Sequence, residues 1–228
     1  IPEGLFKEEI EKSLSSTNIK LKKKYFYETD PTLLTKRIEK ITKYDRRKQN
    51  LADEIKRVEE SDEFNKEKII ENLEKKDTLG KVNFDSVIIS AFDETLKSIT
   101  TSLIYTDVTP KKTYFITLNQ WFDESLLNED SSQNLYFPSV NKKNFDEFKQ
   151  EYFKKYSSEP NQISLLGFDM VGLIFYLSKV NNFQLNSKIF DQKNTFKGKI
   201  GLFEIEDKRI KHVLNFYKVE NNKFKKIF

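Results

Sequence analysis

Hydrophobic positions change period several times along the chain, and each change predicts an element. Leu5, Phe6, Ile10 and Leu14 recur at helical spacing after an opening IPEG that reads as a strand end and a turn. IKLKKKYFYE (19–28) alternates closely enough to predict a strand, with lysines guarding an edge. Asp30 and Pro31 form a helix start, the acid as N-cap and the proline at the first helical position. From there to about 76 the pattern is helical and heavily charged. One narrow apolar face runs through Leu34, Ile38, Ile41, Tyr44, Leu51, Ile55 and Val58. Ser61 is expected to break this run and cap a second helix carrying Ile69, Ile70 and Leu73, with Gly80 near its C-terminal cap. Such a segment reads as an amphipathic surface helix pair, or as an arm that meets a partner.

The middle of the chain has a different rhythm. FDSVIISA (84–91) is a short continuous apolar run, which predicts a strand buried on both faces. Asp93 is expected to cap a helix whose apolar face is Leu96, Ile99, Leu103 and Ile104. KTYFITL (112–118) is a second strand, so the unit is a βαβ crossover with parallel strands. QNLYFPSV (133–140) predicts a third strand, confined to an edge or an end by Pro138. A helix with an aromatic stripe follows (Phe145, Phe148, Tyr152, Phe153, Tyr156), with Asn144 and Glu147 at capping-box spacing. The segment 161–180 is apolar nearly all round and is expected to lie buried between layers. The tail predicts strands with turns at EDKR and ENNK. No uninterrupted apolar run approaches 18 residues, so no membrane span is expected.

Composition narrows the chemistry. There are no cysteines, which excludes disulfides, thiolate metal sites and a cysteine nucleophile. The single histidine, His212, is expected to be a strand or surface residue and not a catalytic base. The net charge is +4, yet only five of the forty basic residues are arginine, so nucleic-acid binding is not expected. The sequence has no glycine-rich phosphate loop, no clustered metal ligands and no nucleophile–base pair, so the protein is read as a non-enzyme without cofactor or metal. IPEGLFKEE lacks the basic start and apolar stretch of a signal peptide, so any signal is expected to be removed or to lie outside these residues.

The order of the segments resembles the second half of a type I periplasmic binding protein, the two-lobed fold of branched-chain amino-acid receptors. Three stretches carry the resemblance: FDSVIISAFDETLKSI, FDEFKQEYFKKYSSEPNQISLLGFDMVGLIFYL and FKGKIGLFEIEDKRIKHVLNFYKVENNKF. The Phe168-Asp169 pair stands where that family carries Tyr-Asp. YDRRKQNLADEIKRVEE and SLIYTDVTPKKTYFITLNQWFD look most like the penicillin-binding protein activator lipoproteins, which share the fold. The resemblance implies a single α/β domain over 1–228: a Rossmann-like parallel sheet flanked by helices, with a charged helical insertion at about 31–76. It also implies that the first lobe is absent. The helices at 145–180 would then keep an apolar face, to be covered by a homodimer, a rearrangement or another segment.

In a parallel sheet, ligands bind beyond the carboxyl ends of the strands. Ser90, Ala91, Phe92 and Asp93 follow one strand end, and Asn119, Gln120 and Trp121 follow the next. These seven are the candidate ligand-binding residues, with the indole of Trp121 either facing a ligand or plugging its own turn against Phe122 and Leu126. Asp93 and Asp123 are read as helix caps, and Asp169 as a structural hydrogen-bonding group. Two functions follow from the resemblance. One is a periplasmic, non-catalytic regulator without a tight small-molecule ligand, held at the outer membrane by a lipid anchor outside this chain, that binds and activates a peptidoglycan synthase. The other is the solute-binding component of an ABC-type amino-acid uptake system. No arginine lies near either strand end to grip a carboxylate, which favours the regulator.

Overall fold

The computed structural model describes residues 10–15, 17–27, 30–184, 194–206 and 209–228. The chain divides into two compact units, Ile1–Asp85 and Ser86–Phe228. The IPEG opening and the first half of the helix expected at 5–14 lie outside the described residues, and 10–15 are helical.

The first unit is helical. Asp30 accepts hydrogen bonds from the backbone N–H of Thr32 and Leu33, at 2.9 and 3.0 Å, and starts α1 (Pro31–Thr42) as the sequence predicts. The helical run does not continue through 43. Lys43 adopts a left-handed conformation (φ 55°), ends α1 and begins α2 (Tyr44–Glu59). Ser61 breaks the next run by bonding its hydroxyl back to the Val58 carbonyl at 2.8 Å. It is not the cap of α3 (Lys66–Glu74), whose cap position is Asn65, four residues later. Gly80 likewise lies beyond the helix end, in a loop with φ 109°. Helices α2 and α3 pack on each other through Leu51, Val58 and Leu73, with Ile55, Ile69, Ile70 and Leu79 around them. The C-terminal part of the apolar stripe, Leu51, Ile55 and Val58, is thus used inside the pair. The run 19–27 forms no strand among the described residues. Lys23 and Phe26 fall out of phase with its alternation, and Ile19, Leu21, Tyr25, Phe26 and Tyr27 are all exposed.

The second unit contains two sheets. Its larger sheet has five strands: β1 (Ser86–Ile89), β2 (Tyr114–Thr117), β3 (Leu135–Ser139), β7 (Asn215–Glu220) and β8 (Lys223–Lys226), in the order β1-β2-β3-β7-β8. The first three run parallel, joined in part by α4 (Asp93–Tyr105), which buries Leu96, Ile99 and Leu103. The last two run antiparallel, so the sheet is mixed and not wholly parallel. Among the described residues β1 ends the strand order, and Ile88 on β1 and Tyr114 on β2 are both exposed, so the expectation of burial on both faces fails.

Proline does not confine β3 to an edge either; the strand is central. Both backbone groups of Phe216, its partner on β7, bond to the chain end: its N–H to the Phe228 carbonyl and its carbonyl to the Ile227 N–H. The Pro138–Phe216 pair is therefore not hydrogen-bonded, and the proline nitrogen faces the β2 side. The parallel register with β2 stops at Tyr136, so no ladder bond is lost. At ENNK, Asn221 and Asn222 both have positive φ (52° and 56°), which gives the two-residue hairpin between β7 and β8.

The smaller sheet is an antiparallel set, β4 (Asn194–Lys197), β5 (Leu202–Glu206) and β6 (Arg209–His212). The centre of the EDKR turn lies outside the described residues. Before this sheet come α5 (Lys142–Tyr156) and α6 (Gln162–Val180). The side chain of Asn141, not Asn144, caps α5, accepting from the Asn144 N–H at 3.2 Å. Helix α6 is not buried between layers. Its buried residues are Leu165, Asp169, Leu173 and Leu177, a single stripe at spacing four. Leu173 and Leu177 pack on Phe203 and Ile205 of β5. Ile163, Phe168, Val171, Phe175, Tyr176 and Val180 stay exposed, because the small sheet covers one side only. By length and composition α6 is also apolar enough to cross a membrane, contrary to the expectation from uninterrupted runs.

Asp169 fixes α6 to the turn between β4 and β5. Its carboxylate accepts from the backbone N–H of Lys199 at 2.6 Å and of Ile200 at 3.3 Å. Gly198 sits directly against that carboxylate, and a Cβ there would collide with it. Asp169→Ala is expected to destabilise the unit by about 1–3 kcal/mol, because a buried N–H loses its acceptor; chemical denaturation measures it. His212, paired across from Phe203, is half-buried. Burial lowers its pKa below the usual value, against a smaller opposing pull from the Asp169 charge. The unfolded chain therefore binds the proton more readily, and stability rises with pH through the window just below the ordinary histidine value. His212→Gln is expected to flatten that part of a pH series of thermal midpoints.

Candidate functional site

The parallel register pairs Ser86 with Tyr114 and Ile89 with Thr117, so the carboxyl ends of β1 and β2 lie side by side. The two loops that leave them are then tied together. The Thr117 hydroxyl donates to the Ile89 carbonyl at 2.8 Å. The Gln120 amide donates to the Ala91 carbonyl at 3.1 Å and lies 3.1 Å from the Thr117 hydroxyl. Gln120 is only 4% exposed, and Ala91 is buried with it. An amide held this way acts as a strut between loops, and its donors are spent on the chain's own acceptors.

Next to this strut the backbone turns sharply. The Asn119 side chain accepts from the Trp121 N–H at 3.0 Å, and Trp121 and Phe122 both lie in the left-handed region (φ 51° and 59°). This pair of conformations, uncommon for aromatic residues, sends the two rings to different places. Phe122 is the plug: 4% exposed, it meets the rings of Phe137, Phe145, Tyr217 and Phe224 at centroid distances of 4.9–5.9 Å. The Lys142 amine lies over its face at 5.2 Å. Trp121 stays half-buried. The turn then continues into a short 3₁₀ segment (Glu124–Asn128) capped by Asp123, whose carboxylate accepts from the Ser125 N–H at 2.9 Å.

On the β1 side, Ser90, Phe92 and Asp93 are exposed, with Phe92 at 46%. Asp93 does not cap α4. Phe92 occupies the cap position without a side-chain bond, and Asp93 begins the helix with φ 49°. The acidic first turn is balanced by Lys97, 2.9 Å from Glu94 and 3.9 Å from Glu129. Its pKa is raised, chiefly by the hydrogen bond it donates to Glu94.

The structure therefore joins Ala91 to Gln120 and Asn119 to Trp121, and leaves Ser90, Phe92 and Asp93 exposed after β1. Sequence reasoning missed Thr117 and the role of Phe122. A threonine ending an apolar strand was the available signal for the first. Among the described residues, no group of three or more His, Asp or Glu side chains is placed to hold a metal. Phe122→Ala is expected to cost about 3–5 kcal/mol in denaturant titrations, as for other large buried aromatics. Trp121→Phe is expected to cost far less.

No family model and no curated protein matches the sequence. Solved structures do match the fold. A Rhodospirillum rubrum protein assigned to branched-chain amino acid ABC transport superposes with a TM-score of 0.53 at 11% identity, over 71% of this chain and 48% of that one. The leucine-binding protein LivK of Thermotoga maritima gives 0.46 at 16% identity, over 63% and 44%. The C-domain of LpoA from Haemophilus influenzae, a regulator of PBP1A, gives 0.38 at 10% identity, over 70% and 54%. The matched region spans about half the length of these proteins or less. The chain has a type I periplasmic-binding-protein-like α/β fold, the likeness being one of fold alone.

Proposed function

We propose that the chain is a non-catalytic, periplasmic binding-protein-like module that binds and activates a peptidoglycan synthase. The observation that carries this reading is the strut at the strand ends. A solute-binding cleft needs convergent polar groups free to grip a ligand. Here the Gln120 amide and the Thr117 hydroxyl are spent on the loops themselves. The helical segment at about 31–76 is the contact surface in this reading, an insertion in the α/β domain. On α2 and α3 the apolar residues Leu51, Ile55, Val58 and Leu73 are used internally, so contact in this reading is made by the charged outer face and is salt-sensitive. A lipid anchor, in this reading, belongs to sequence outside these residues.

The test is a binding titration with the bifunctional peptidoglycan synthase from the same source, followed by its glycan polymerisation rate. Saturable binding, faster polymerisation and an affinity weakened about tenfold by Lys48→Glu with Lys56→Glu are expected. No saturable binding, or binding without a change in rate, would overturn the reading. A second reading, solute binding, draws on exposed Phe92 and half-buried Trp121 after the two strand ends. It requires Trp121 fluorescence to respond saturably to an amino acid.

A further inference from the structure

Helix α6 leaves a long apolar surface uncovered. One side of it packs on β5 through Leu173 and Leu177, and Tyr176 meets the Phe196 ring of β4. On the other side Phe168 meets the Phe148 ring of α5. The sector between these contacts is open. It carries Ile163, Gly167, Met170, Val171, Ile174 and Ser178. Their three- and four-residue spacing lines them up as one stripe about four turns long, the pattern of a helix–helix seam.

The stripe is uncharged. Between Gln162 and Ser178 the only charged residue is Asp169, which is buried and bonded to the Lys199 and Ile200 N–H groups. The Ser178 hydroxyl donates to the Ile174 carbonyl at 2.7 Å, so it can enter an apolar contact with its proton already placed. At Gly167 a Cβ would meet nothing within 4 Å, which leaves an open notch in the stripe.

These features fit one occupant, a second copy of the chain. With a net charge of +4, two copies repel, so a contact between them has to keep like charges apart. A symmetric pair also needs a surface complementary to itself. The stripe has that property when two α6 helices run antiparallel about a twofold axis between positions 170 and 171. Ile163 then faces Ser178 of the partner subunit, Gly167 faces Ile174 of the partner subunit, and Met170 faces Val171 of the partner subunit. A large side chain meets a small one towards both ends of the seam. With Leu166 and Phe175 on its flanks, the face offers roughly 700 Å², and two such faces pass the ~1,000 Å² expected of a specific contact. A bilayer fits less well, because spanning it would pull Asp169 from its backbone partners and Leu173 and Leu177 from β5. We propose that α6 is the interface of an antiparallel homodimer of this chain. The interface is independent of the function proposed above.

Sedimentation equilibrium of the full chain over about 1–100 µM is expected to show a monomer–dimer equilibrium with a Kd in the micromolar range. Val171→Glu places like charges at the axis and is expected to raise that Kd about tenfold or more. The side chain is exposed, so the circular dichroism spectrum is kept. The sequence has no cysteine, so a single introduced thiol reports on the geometry. Val171→Cys is expected to form an intersubunit disulfide under mild oxidation. Lys179→Cys, near the end of α6 and far from its own counterpart in an antiparallel pair, is expected to stay reduced. Phosphatidylcholine vesicles supply a lipid arm. A chain that stays monomeric over this range, whether or not it binds the vesicles, would overturn the proposal. So would a Kd unchanged by Val171→Glu, or cross-linking of Lys179→Cys as efficient as that of Val171→Cys.

Discussion

The ring of Phe122 is the contact on which the larger sheet and its loops depend. It reaches β3 through Phe137, β7 through Tyr217, β8 through Phe224 and α5 through Phe145. A loop residue thereby joins four elements that are far apart in sequence. Reaching this position requires Trp121 and Phe122 to take left-handed conformations, each unfavourable for a residue with a Cβ. Burial of a large aromatic side chain among other rings offsets that cost. The same geometry holds Asn119 and Gln120 beside the end of β1, so the candidate site is a by-product of core packing.

Tyr217 extends this arrangement. Its hydroxyl donates to the Val140 carbonyl at 3.1 Å and accepts from the Lys142 N–H at 3.0 Å, which fixes the approach to α5. Helix α6 has a different anchor, the Asp169 carboxylate on the turn before β5. One polar contact and one apolar stripe hold it to the small sheet, and the remainder of its apolar surface faces outward. That distribution is unlike a buried core helix, whose apolar residues meet protein on several sides.

Function separates along similar lines. The strand ends have the location expected of a ligand site in an α/β fold, but their polar groups largely serve the loops that carry them. Contact with a protein partner asks less of those groups than the gripping of a small solute does.

By itself the sequence determined the local features. Asp30 and Pro31 start a helix, the ENNK turn makes a hairpin, and strand–helix–strand over 84–118 makes a parallel pair, because each depends on neighbouring residues or on one period. The resemblance in segment order gave the fold class for the same reason. Tertiary structure decided what depends on distant partners. Nothing local exposes Ile88 on β1, lets Pro138 sit in a central strand, or leaves α6 covered on one side. Lys43 ends a helix against its ordinary propensity, and the lysine-rich run at 19–27 finds no strand partner. The seven candidate residues were legible as two strand ends, but their roles were not. Which side chain plugs the core and which bridges the loops is set by the available volume and by the nearest unpaired carbonyl, and both exist only once the chain is folded.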